Sequence, residues 1–130
     1  MHAVDTNVVV RLFVLDDAAQ AAAARRATAA DTIFVPKSVI VELEWVLRRS
    51  YGQSRTTIVT VLEALLATVN FQVEDDAAVK TAIAWFRRGM DLADALHLAS
   101  SSHADWFVTF DVAMRRRAQA LGAKPAVIAP

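Results

Sequence analysis

Short β-branched or aromatic runs alternate with longer alanine- and leucine-rich segments along this chain, and no other feature constrains its fold as much. The runs lie at residues 3–4, 33–35, 71–73, 106–108 and 126–128. The segments between them have helical length and spacing. Ile58, Val61, Leu62, Leu65, Leu66 and Val69 recur with the one-face period of a helix that Ser54 would cap. Asp16 is the expected cap of the alanine-rich segment, and Ser38 that of the segment running from Pro36 to Gly52. The last three helical segments each open on an aspartate. Short apolar strands joined by helices predict an α/β fold, with a parallel sheet covered by helices on both faces.

Bulk properties narrow the class. With 130 residues, 55% of them hydrophobic, and only three glycines and three prolines, the chain reads as a single domain over residues 1–130 without linkers. Fourteen basic and fourteen acidic residues cancel, which argues against a strongly basic, non-specific nucleic-acid binder. The absence of cysteine removes disulfides, zinc–thiolate sites and thiol catalysis. Asp5, Asn7 and Arg11 inside the first apolar run speak against a signal peptide or a membrane span, so a cytoplasmic location is expected.

In such folds, sites gather at the carboxyl ends of the strands. Four acids are expected near that rim: Asp5, Glu42, Asp94 and Asp111. Each has a structural explanation. Asp5 and Asp111 suit helix N-caps, Asp94 follows Asp91 at capping-box spacing, and Glu42 suits a solvated helix position. Crowded carboxylates, however, resist ionisation unless a cation neutralises them. An all-oxygen set without histidine or cysteine suits Mg²⁺ or Mn²⁺, which can activate water and clamp a phosphodiester.

The motifs VDTNVVV, VPKSVIVELEWVLR, MDLADALHLASS and WFVTFD, in this order, closely resemble those of PIN-domain ribonucleases, specifically VapC-type toxins of toxin–antitoxin pairs. The resemblance implies an α/β/α sandwich with a central parallel sheet of four to five strands. It also implies Mg²⁺- or Mn²⁺-dependent endoribonuclease activity, a homodimer and a cognate antitoxin protein. Asp5, Glu42, Asp94 and Asp111 match the family's acidic quartet, as metal ligands and catalytic residues. Asn7 and Thr109 match its supporting polar positions, and Asp91 is an additional acid beside them.

Arg87, Arg88, Arg115 and Arg116 are candidate RNA contacts, with solvated helix surface as their alternative role. His97 is expected to pack neutral in an apolar helix. Trp45, Leu47, Ile58 and Leu62 fall on consecutive helices and would suit a hydrophobic groove, which the resemblance makes an antitoxin seat. A phosphatase with an aspartyl nucleophile would need a second acid two residues after Asp5, where Asn7 stands. The remaining alternative is a non-catalytic PIN-like module that binds nucleic acid or a partner.

Overall fold

The computed structural model describes residues 1–130, which form seven helices and five short strands. Two compact units are distinguished, Met1–Asp76 and Ala77–Pro130.

The first unit contains β1 (His2–Ala3), α1 (Thr6–Phe13), α2 (Ala18–Ala29), β2 (Ile33–Val35), α3 (Lys37–Arg49), α4 (Arg55–Ala67) and β3 (Phe71–Val73). Its strands pair in parallel in the order β1-β2-β3, with His2 opposite Ile33 and Ile33 opposite Phe71. Each parallel step needs a crossover, and the helical pairs α1–α2 and α3–α4 supply them. The second unit holds α5 (Asp76–Arg87, from its second residue), α6 (Leu92–Ala99), β4 (Trp106–Val108), α7 (Val112–Leu121) and β5 (Ala126–Ile128). Here β4 and β5 pair in parallel, with Val108 opposite Ile128.

All five expected strands are present and parallel, but their hydrogen bonds make ladders of three and two strands instead of one sheet of four to five. The β1 strand ends after two residues because Asp5 already caps α1, with Oδ1 accepting the Val8 N–H at 3.1 Å. Only β2 has the fully buried character expected of a central strand, through Ile33 and Val35.

Helix starts follow the search for partners by first-turn amides. Ser54 caps α4 through the Thr57 N–H, as expected. Asp17, not Asp16, caps α2 by accepting the Gln20 N–H at 3.0 Å. Asp16 instead accepts hydrogen bonds from Arg11 and from the Tyr51 hydroxyl, and Arg11 also reaches Gln20 at 2.7 Å. Ser38 does not cap α3. The cap position is Pro36, which has no side-chain acceptor, and the Glu74 carboxylate, just past the end of the neighbouring strand β3, takes the Lys37 N–H at 2.8 Å.

The helices α3 and α4 pack through Leu43, Leu47, Ile58, Leu62 and Leu65, all essentially inaccessible to solvent. The expected hydrophobic groove is therefore absent: Leu47, Ile58 and Leu62 form core, and only Trp45 remains outside at 51% exposure. Trp45 lies 6.0 Å from the Arg49 guanidinium carbon. No helix is long and apolar enough to cross a membrane.

Leu47→Ala is expected to cost about 2–5 kcal/mol of stability, as buried leucine truncations do. Trp45→Ala should stay within about 1 kcal/mol, the scale of an exposed cation–π contact. Urea unfolding of both variants checks this division, and comparable losses would contradict it.

Candidate functional site

Asp5, Asn7 and Glu42 belong to the first unit. Asp5 is exposed and spends one carboxylate oxygen on the α1 cap. Asn7 stands exposed in the first turn of α1 and borders a cleft of about 270 Å³ between α1 and α2. Glu42 lies on the exposed side of α3, although its neighbours in VIVELEWVL suggest burial. The buried acid of that segment is Glu44, 4% exposed, whose Oε1 accepts the Arg48 Nε–H at 2.8 Å. The helices α1 and α3 pack on each other.

Three acids of the second unit stand at the starts of its helices α6 and α7. Asp91 caps α6 with one oxygen, accepting the Asp94 N–H at 3.1 Å. Asp111 caps α7 by accepting the Met114 N–H at 2.9 Å. Asp94 sits half-buried in the first turn of α6, and its carboxylate makes no capping-box bond. Burial holds its carboxyl above the ordinary aspartate range, and the nearby charges of Asp91 and Asp111 push the same way. His97 acts oppositely but does not reverse the shift. This histidine is exposed on α6, not packed as expected, because the apolar face of the helix is Leu92, Ala95, Leu96, Leu98 and Ala99.

Thr109 holds Asp111 in place. Its hydroxyl accepts the Asp111 N–H at 3.1 Å, and its own N–H donates to the Ile128 carbonyl at 3.0 Å. Arg115 Nη1 donates to the Thr109 carbonyl at 2.8 Å, so this guanidinium is partly committed to the protein itself. Arg87, Arg88 and Arg116 are exposed. Arg117, the last of the three consecutive arginines of α7, brings its Nη1 to 3.5 Å from the Arg88 carbonyl across Gly89. A Cβ at Gly89 would lie 2.7 Å from that nitrogen, and its φ of 107° is one that other residues rarely adopt.

No three His, Cys, Asp or Glu side chains are gathered into a ready cation cage. The donor chemistry nevertheless fits a hard divalent ion. The acids offer oxygen only, three of them cap helices with a single oxygen, and Asp94 is disfavoured as a lone anion.

Asp94→Asn tests whether like-charge crowding or the helix dipole dominates. Native Asp94 holds its proton more tightly than an unfolded aspartate, so ionisation above the ordinary aspartate range weakens the native state. Without divalent ions at neutral pH, the Asn variant should melt at the wild-type temperature or higher. That advantage should vanish once the pH falls below the ordinary aspartate range and both states are protonated. A variant less stable at neutral pH, by the roughly 0.3–1 kcal/mol of a first-turn dipole interaction, would contradict this reading.

The family model of the PIN domain matches residues 3–120, and so takes in parts of both units. No curated protein matches the chain. No solved structure matches it either.

Proposed function

Because this chain belongs to the PIN domain family, whose members are typically nucleases using divalent metals, we propose that it is a Mg²⁺- or Mn²⁺-dependent endoribonuclease. The observation that carries the reading is the PIN family match over residues 3–120, which takes in Asp5, Glu42, Asp94 and Asp111. The oxygen-only acids Asp91, Asp94 and Asp111 stand at the starts of α6 and α7, where the charges of Asp91 and Asp111 disfavour ionisation of Asp94. From the match of their motifs to the family's acidic quartet, and not from a shared site, Asp5, Asp94 and Asp111 are proposed as ligands of the cation, with Glu42 as a fourth carboxylate acting directly or through water. A divalent ion bound there supplies activated water and neutralises charge developing on a phosphodiester.

The chain's own residues have separable duties. Thr109 fixes the backbone of Asp111 through the 3.1 Å amide bond, so the Asp111 carboxylate is aimed before any ligand arrives. Asp91 orients the first turn of α6, which carries Asp94. Asn7, two residues after Asp5, is assigned to orient a ligand or the substrate. Arg87, Arg88 and Arg116 lie exposed and suit phosphate contacts.

The proposal extends to a VapC-type toxin: a cytoplasmic homodimer neutralised by a cognate antitoxin protein. Its support is the order of four acidic motifs within a family match that covers most of the chain. An excess of carboxylates also suits insertion of a basic antitoxin side chain.

Purified protein should cleave single-stranded RNA with Mg²⁺ or Mn²⁺ and stop in excess EDTA. Asp5→Asn, Asp94→Asn and Asp111→Asn should each lose about a hundredfold or more, the scale of several kcal/mol of charge stabilisation. Asp105→Asn, in the exposed loop before β4, should cleave like wild type. Cleavage that persists in EDTA, or that survives all three substitutions, would sink the mechanism.

A further inference from the structure

Phe110 is 85% exposed, although large apolar side chains left in water usually mark a contact surface. It stands between Thr109 and Asp111, and both neighbours are pinned. The Thr109 N–H, carbonyl and hydroxyl are all hydrogen-bonded, and Asp111 caps α7. The ring is therefore presented on a backbone that is already ordered, which lowers the entropy cost of using it. Trp106 and Val108, at 59% and 55% exposure, lie on one face of β4 leading towards it.

A groove of about 770 Å³ runs between α7 and β5. Arg115, Arg116 and Lys124 line it together with Val112 and Ile128, and no carboxylate does. It is continuous with the Phe110 segment, since the carbonyl of Ile128 accepts the Thr109 N–H. A rigid aromatic ring beside a cationic, acid-free groove matches a ligand with flat π faces and regularly spaced negative charge. Single-stranded RNA has both: its bases stack on aromatic side chains and its phosphates meet the cations.

We propose that Phe110 stacks on a nucleobase and that the α7–β5 groove carries the adjoining RNA backbone, which brings the strand beside Asp111. This rests on the nuclease reading and adds to it a substrate-binding residue and the path of the bound strand. Phe110 is a substrate-binding residue in this scheme and takes no part in proton or metal chemistry.

The test is fluorescence anisotropy with a labelled single-stranded oligouridylate of about twelve nucleotides, within the usual span of single-strand sites, in EDTA at low salt. Phe110→Ala should weaken binding about tenfold, the lower-middle range for loss of one base–aromatic stack. Phe110→Trp should bind as well as wild type or better, and Phe110→Leu should remain weak because it is apolar without a π face. Removing Arg116 and Lys124 together should flatten the slope of log affinity against log salt by about 0.7 per lost phosphate contact, and Phe110→Ala should leave that slope unchanged. High exposure at position 110 keeps these variants folded.

Wild-type protein that cleaves RNA while Phe110→Ala binds and cleaves equally well overturns this inference alone. Phe110-dependent binding without any cleavage with Mg²⁺ or Mn²⁺ keeps the inference and overturns the nuclease reading. Binding as tight in Phe110→Leu as in wild type, with Phe110→Ala shifting a dimer to monomer in sedimentation, assigns the ring to contact between copies of the chain and overturns the proposal.

Discussion

Helix N-termini expose backbone amides that have no partner within the helix, and this chain meets that requirement mostly with aspartate. Asp5, Asp17, Asp91 and Asp111 each accept an amide of the first turn, as Ser54 does for α4. Such a cap contributes about 1 kcal/mol. The strands are only two or three residues long, so the turn from β1 into α1 and from β4 into α7 must be made almost at once. Caps at residues 5 and 111 bound where those strands can end.

Capping and ligand binding are not rival roles for these residues. A carboxylate has two oxygens, each with two lone pairs. Asp5, Asp91 and Asp111 each commit one oxygen to an amide, which orients the side chain and leaves the second for another donor or a cation. Asp94 is the exception. It caps nothing, is half-buried, and faces two neighbouring negative charges. The divalent ion proposed for this chain would offset that cost. The same economy appears at Thr109, where one residue anchors β5, receives Arg115 and fixes Asp111.

Local rules made much of this readable in advance. The runs at 33–35, 71–73, 106–108 and 126–128 are strands, and Ser54, Asp91 and Asp111 are caps, because strand propensity and capping depend on residues a few positions apart. What depended on distant partners was not readable. Glu74 caps α3 from 37 positions away, and Arg11 and Tyr51 take Asp16 out of the capping role. Glu42 and Glu44 differ by two places in one apolar segment, yet helix rotation exposes the first and buries the second against Arg48. Phe110, exposed after β4, gave no signal because an aromatic after a strand usually reads as core.

The claim on which the functional account turns is that the acids around Asp94 take up a divalent ion although the fold holds no finished cage for it. Mn²⁺ reports its own location, because it broadens the NMR signals of nearby amides. Titrated at substoichiometric amounts into ¹⁵N-labelled protein, it should first broaden the amides of Leu92 to Ala95 and of Asp111 to Met114, and Asp94→Asn should abolish that broadening. Broadening spread evenly over exposed acids such as Asp105, or unchanged in the variant, would contradict the account.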